Sequence, residues 1–399
     1  MAATRAYLDH NASAPLRDCA RAAVIDALAA SNPSSVHAEG REARRIVEQA
    51  RRGVAALVGG KPEHVVFTSG ATEAATTLLT PDWRMGRGQV RMSRLYVCAS
   101  DHPCILTGGR FAPENVTRIG VQQDGAVDLV ELEGALAAHD KAEGLPLVAI
   151  HLANNETGVV QPVERIAAIV KAAGAVLVLD AVQAAGRIAL DMSSGCGDYL
   201  ILSSHKIGGP KGVGAIVASS DLMMPAALVV GGGQEKGHRA GTENLPGIAG
   251  FGAAAREALS ELARMDELRT RRDALERSIR DAEPAVEIFG VGAERLPNTT
   301  FFAVPGMKAE TAQIAFDLAG VALSAGSACS SGKVGASHVL KAMGLGDRDG
   351  ALRVSIGPST TDAELDLFRT ALGKILARRA TRPHRRQIDV GRCFGPSAG

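Results

Sequence analysis

The chain has 399 residues, 46% of them hydrophobic and 22% charged, with 44 Lys and Arg against 43 Asp and Glu for a formal net charge of +1. This length exceeds one compact core, and the composition excludes a disordered chain or a small stapled module, so an enzyme-sized protein of two domains is expected. The balanced charge gives no global pull toward nucleic acid or an anionic membrane; with no N-terminal apolar h-region and no spanning apolar run, a cytoplasmic protein that binds neither is expected.

In chain order, apolar periodicity predicts a helix over 41–58 and short apolar runs at 64–68 (HVVFT), 95–99 (LYVCA) and 147–152 (LVAIHL). A helix over 163–173 (VERIAAIVKAA) and further runs at 175–180 (AVLVLD), 199–203 (YLILS) and 214–218 (GAIVA) follow. Continuous rather than alternating apolar character fits strands covered on both faces, and their alternation with helices predicts an α/β fold with a mainly parallel sheet. After Gly250 the texture changes to a charged helical stretch over 253–282. Strands at 298–304 and 320–323 and a helix over 362–377 then predict a smaller α+β unit. The tail from Arg378 opens with five arginines in nine residues, interrupted by Pro383, and reads as a solvated, disordered end.

Ligands of an open parallel sheet sit at the carboxyl ends of its strands, so the polar residues after each apolar run are the candidates. Thr68 to Glu73 (TSGATE) is a small-residue turn opening a helix, where backbone N–H groups suit a phosphate; it reads equally well as an ordinary capped helix start. Asp180 ends AVLVLD, and a carboxylate there needs a cationic or donor partner. Lys206 follows YLILSSH; alone, such a lysine is more often solvated than catalytic. A pyridine nitrogen for Asp180, an aldehyde for Lys206 and a phosphate for the turn would satisfy all three together, and pyridoxal phosphate carries those functions. Gly60-Lys61-Pro62 and Gly332-Lys333-Val334 complete no Walker A motif, and no GxGxxG opens a helix, which disfavours ATP and NAD. The six cysteines (Cys19, Cys98, Cys104, Cys196, Cys329, Cys393) contain no CxxC pair, so neither a disulfide framework nor structural zinc is expected; Cys98, His102 and Cys104 lack ligand spacing. Cys329 lies in a small-residue stretch, SAGSACSSGKVGAS, expected to be mobile.

The motifs YLDHNA from Tyr7, NPSSVH from Asn32, FTSGATE from Phe67, ANNETG from Ala153, DAVQ from Asp180, SHK from Ser204, RAGTEN from Arg239 and GSAC from Gly326 together resemble the pyridoxal-phosphate-dependent cysteine desulfurases of the class V aminotransferase superfamily, from Tyr7 to about Leu372. The resemblance implies fold type I: a large cofactor-binding domain over 15–255 with a mainly parallel seven-stranded sheet, and a small domain over 1–14 and 256–377 carrying the mobile cysteine loop. It implies that Lys206 bonds the cofactor aldehyde, Asp180 keeps the pyridine nitrogen protonated and His102 stacks on the ring and moves protons. Gln183 and Asn155 would contact the ring hydroxyl side. Ala71, Thr72, Ser203 and His205 would bind the phosphate, with Thr242 reaching across a homodimer. Arg353, with Asn155, would take the substrate carboxylate. L-Cysteine would be the substrate and Cys329 the persulfide carrier, serving a sulfur acceptor or iron–sulfur scaffold protein; Cys329 is also the sole implied metal ligand, as a transient ligand of an iron–sulfur cluster. A selenocysteine lyase or another enzyme of the same superfamily is the alternative. Ser204, Ala74-Ala75 and Ser13-Ala14 depart from the usual pattern.

Overall fold

The computed structural model describes residues 5–326, 337–346 and 351–380. The cysteine loop around Cys329 and the tail beyond residue 380 lie outside the described residues.

The strands are β1 (Ala6–Tyr7), β2 (Val65–Thr68), β3 (Asp82–Met85), β4 (Gly88–Cys98), β5 (Val116–Ile119), β6 (Leu145–His151), β7 (Val176–Asp180), β8 (Tyr199–Ser203), β9 (Gly214–Ala218), β10 (Met223–Pro225), β11 (Glu287–Ile288), β12 (Thr299–Ala303), β13 (Val321–Ala322), β14 (Ser324–Ala325) and β15 (Ala351–Ser355). The helices are α1 (Asp18–Ala27), α2 (Ala38–Leu57), α3 (Ala71–Leu78), α4 (Pro103–Leu106), α5 (Leu129–Ala137), α6 (Val163–Ala173), α7 (Leu245–Glu261), α8 (Met265–Ala282), α9 (Ala309–Leu318), α10 (His338–Ala342) and α11 (Asp362–Ala380).

Strands β5, β4, β6, β7, β8, β9 and β2 lie in that order; the pairings from β5 through β8 are parallel, and β9 runs antiparallel to both its neighbours. Their number is the seven that the resemblance implies; six match the expected apolar runs, and β5 (VTRI), with only Ile119 buried, gave no such run. β3 and β10 add an antiparallel extension on β4, which makes nine. The sequence reading missed them because β3 (DWRM) buries only Trp83 and β10 is three residues long, so neither gives a continuous apolar run. Every residue of β7, β8 and β9 is buried, as helices on both faces require.

One large apolar core lies between the sheet and α1, α2, α5, α6 and α7, and another between the opposite sheet face and α3 and α4. A further core gathers Leu268, Phe302, Phe316, Leu352 and Phe368 around the second sheet, β11-β12-β15-β14. The helix expected from residue 253 begins at Leu245, because its first half packs on α2. A Cβ on Gly252 would lie 2.3 Å from Ala50 Cα, so the two backbones meet where only glycine fits.

Candidate active site

Five strands running in one direction end at the same edge of the sheet. β2 leads into Ser69-Gly70 and α3, β4 into Asp101-His102, β6 into Asn155, β7 ends at Asp180 and β8 leads to Lys206. They surround a cavity of about 590 Å³, which Ala71, Thr72, His102, Asn155, Asp180, Gln183, Ser203, His205 and Lys206 all line. Nine of the expected site residues therefore converge, although they come from segments spread over more than a hundred positions.

At one end sits Asp180, 7% exposed, its Oδ1 accepting the Val182 N–H at 3.0 Å. Burial first, then the nearby Asp101 charge, pushes its carboxyl up to about 6, against that hydrogen bond and the influence of Lys206. Lys206 Nζ donates to the carbonyls of Asn11 at 2.6 Å and Ala12 at 3.0 Å. His102 caps α4: its Nδ1 accepts the Cys104 N–H at 3.2 Å and lies 3.0 Å from Cys104 Sγ. Burial holds that thiol well above the usual range, so it remains protonated and donates. With Nδ1 an acceptor, the ring proton of His102 belongs on Nε2. Burial, with Lys206 and His338, lowers this imidazole to about 4, so it is neutral at physiological pH.

At the other end, α3 starts from Gly70, which brings no side-chain cap to the first-turn amides. These amides and the cationic neighbours Lys206 and Lys211 favour an anion. His205 also lines this end; burial first, then Lys206 and Lys211, lowers it to about 4, and its Nδ1 meets Ser13 Oγ at 3.2 Å. Burial opposes ionisation of Glu73, but bonds from Arg239 (3.1 Å) and the Ser69 N–H (2.8 Å) outweigh it and hold the carboxyl below its ordinary value. Arg239 belongs to a loop that is pinned again at Glu235, whose carboxylate takes both Nη groups of buried Arg51 at 2.8 Å. That pairing holds Glu235 and Lys236 in the left-handed region, at φ 45° and 56°. Thr242, on the same loop, is exposed and does not line the cavity of its own chain.

Arg353 is not among the residues that line the cavity. It is 3% exposed, donating through Nη1 to the Asn155 carbonyl (2.9 Å) and through Nη2 to Asp9 (2.7 Å) and Ser324 Oγ (3.1 Å), while its buried Nε has no partner among the described residues. Gln183 likewise has both ends engaged, donating to the Asn11 carbonyl and accepting from Arg187 at 3.0 Å each.

Several contributors escaped the sequence reading. Asn11 ties the cavity to the second sheet, donating to Thr299 Oγ1 (2.9 Å) and accepting from Asn298 (3.0 Å). Buried Arg187 supports the floor through the Gln183 and Lys206 carbonyls, and desolvation lowers it to about 10. Glu156, pushed up to about 7 by burial, accepts from Ser337 at 2.5 Å beside Gly326. A polar residue inside an apolar run, His151 in LVAIHL, was an available signal.

A family model described as Aminotransferase class-V matches residues 6–368. A cysteine desulfurase of Frankia sp. (strain EuIK1) is 40% identical over 381 residues, covering 90% of this chain and 88% of the relative. Another, of Cereibacter sphaeroides, is 38% identical over 382 residues, covering 93% and 96%. Among solved structures, a NifS-like protein from Rickettsia africae ESF-5 superposes with a TM-score of 0.84 at 31% identity, covering 94% of this chain and 100% of that one.

Proposed function

The chain belongs to the aminotransferase class-V family, and from that premise we propose that it is a cysteine desulfurase, converting L-cysteine to L-alanine and carrying the sulfur as a persulfide on Cys329. The observation that carries this reading is the convergence of Lys206, Asp180 and the uncapped α3 start on one cavity of about 590 Å³. That donor set fits pyridoxal phosphate: an amine for the aldehyde, a buried carboxylate for the ring nitrogen, and amides with cationic side chains for the phosphate. When bound, the cofactor supplies an electron-poor ring that stabilises the carbanion left by a departing substrate α-proton.

The protein's own groups do the rest. Asp180 holds a proton at the ring nitrogen, a task suited to a carboxylate that burial has made a strong acceptor. Ala71 and Thr72 offer backbone donors at the α3 N-terminus, while Ser203 and His205 bring side chains to the same end. Lys206 Nζ, steered by the Asn11 and Ala12 carbonyls, is the amine that takes the substrate proton. Neutral His102 offers its Nε2–H to the substrate as the hydrogen-bond donor of its part in proton transfer. Arg353 receives the substrate carboxylate, exchanging its bond to Asp9 for one to the ligand. The Cys329 thiolate attacks the substrate sulfur, its C–S bond breaks, and the carbon skeleton leaves as alanine. A homodimer completes the phosphate site with Thr242 of the second copy, and the persulfide passes to an acceptor or iron–sulfur scaffold protein. No helix among the described residues is long and apolar enough to cross a membrane.

Incubation of the pyridoxal-phosphate-loaded protein with L-cysteine tests this reading. Alanine should form, and mass spectrometry should find one added sulfur on the peptide containing Cys329. Undiminished turnover by Cys329→Ser would remove the persulfide step, and a protein that takes up no pyridoxal phosphate would refute the reading outright.

A further inference from the structure

Behind Asp180 lies a second carboxylate with no part in the chemistry described above. Asp101 is fully buried; its Oδ2 accepts the Cys98 N–H at 2.7 Å and its Oδ1 accepts the His151 N–H at 2.8 Å. Oδ1 also faces His151 Nδ1 at 2.5 Å. On the far side of that imidazole, Nε2 lies 2.9 Å from Gln161 Nε2. The Gln161 amide has only one workable orientation, because its Oε1 accepts the Val127 N–H (2.8 Å) and its Nε2 donates to the Gly125 carbonyl (3.0 Å). It therefore presents N–H to His151, whose Nε2 must accept. The single ring proton sits on Nδ1, against Asp101, and a second would face a donor. His151 is thus held neutral, and the Asp101 charge is left uncancelled.

Strand register carries that charge to the site. His151 of β6 pairs with Asp180 of β7, and both line the cavity. The charged and titratable groups bearing on Asp180 are Asp101 and His151, with Lys206 beyond β8 and the Cys104 thiol of α4. His338 of α10 closes the back, its Nε2 lying 2.9 Å from the Asp101 carbonyl.

Resting on the pyridoxal-phosphate reading above, we propose that Asp101 is a positioning residue whose uncancelled buried charge, preserved by the Gln161-locked neutral His151, keeps a proton in the pair formed by Asp180 and the cofactor ring nitrogen. A fixed negative charge raises the proton affinity of its neighbours, so the pair keeps its proton to more alkaline pH than Asp180 alone would allow.

Two measurements test this. In wild-type protein labelled with nitrogen-15 histidine, His151 should show the neutral Nδ1–H pattern; a histidinium or Nε2–H pattern overturns the proposal without recourse to any variant. In holoenzyme loaded with ring-labelled pyridoxal phosphate, the ring-nitrogen resonance reports protonation directly. Asp101→Asn should lose that proton about one pH unit lower than wild type, as expected for removing a unit charge at this range in a partly shielded interior. Equal titration of the two proteins refutes the role of Asp101 and leaves the desulfurase reading standing, whereas failure of the wild type to take up the cofactor removes both.

Discussion

Replacing the carboxylate at the ring end should make the cofactor-free protein more stable and inactive. Asp180 is 7% exposed, and its folded-state value rises from 3.8 to about 6, chiefly through burial. A carboxyl whose value is raised on folding binds its proton more tightly in the folded state. Stability is therefore lost as pH climbs from about 4 to about 6, and the loss persists above that window. The rise corresponds to a penalty of about 3 kcal/mol at pH 8, shrinking to roughly 0.5 kcal/mol at pH 4. Asp180→Asn keeps an oxygen for the Val182 N–H and removes the charge. Calorimetry of the cofactor-free proteins should find the variant melting higher at pH 8, by roughly 4 °C if all 399 residues unfold together, and nearly level at pH 4. Glu156, raised to about 7 by burial, contributes to the pH dependence of both proteins and cancels in the difference. Alanine release should fall to background in the variant. A variant no more stable than wild type at pH 8 would refute the claim that burial of an uncompensated carboxylate dominates this end of the cavity.

Lys206→Ala should leave the melt of the cofactor-free protein near that of wild type while abolishing alanine release from L-cysteine, measured on purified protein. Gly252→Ala should gain the ordinary helix-propensity benefit of about 1 kcal/mol yet destabilise overall by about 1–3 kcal/mol, because its Cβ would lie 2.3 Å from Ala50 Cα; a rise in melting temperature would refute the close α2–α7 contact. Arg51→Ala leaves buried Glu235 without its bidentate partner and should cost about 3–5 kcal/mol in denaturant titration. Adding Glu235→Gln to that variant should recover part of the loss.

The strand ends were legible because chemistry and position coincide there. Asp180 and Lys206 each stand at or just beyond the end of a wholly apolar run, and while a lone lysine there is more often solvated, the pair together with the small-residue turn calls for one shared ligand. Six of the seven central strands were readable for the same reason, since burial on both faces leaves unbroken apolar runs, whereas β5 (VTRI), β3 and β10 toward the edges carry no such mark. Asn11 was invisible because much of its contribution comes from its backbone carbonyl, which accepts from both Lys206 and Gln183, and no side-chain pattern announces that. Arg187 was invisible because carbonyls and an amide oxygen, rather than a carboxylate, satisfy it. Gln161 is the hardest case: its effect on His151 exists only once Val127 and Gly125 have oriented its amide.

The shifts of Asp180, His102 and His205 argue that the site is built for a ligand carrying charges of both signs. Burial is the largest cause in each case, and it moves Asp180 up to about 6 and both His102 and His205 down to about 4, toward their neutral forms. A protein shaped only for its own stability would place neutral groups here, since each unmatched charge costs free energy that folding must offset. A phosphate beside His205 and the α3 amides, with a protonated ring nitrogen against Asp180, reverses those penalties where they arise. Ligand binding and stability are then linked, so saturating cofactor should raise the melting temperature of the wild type more than that of Asp180→Asn. Equal increments for the two proteins would mean that the carboxylate does not face the bound ring.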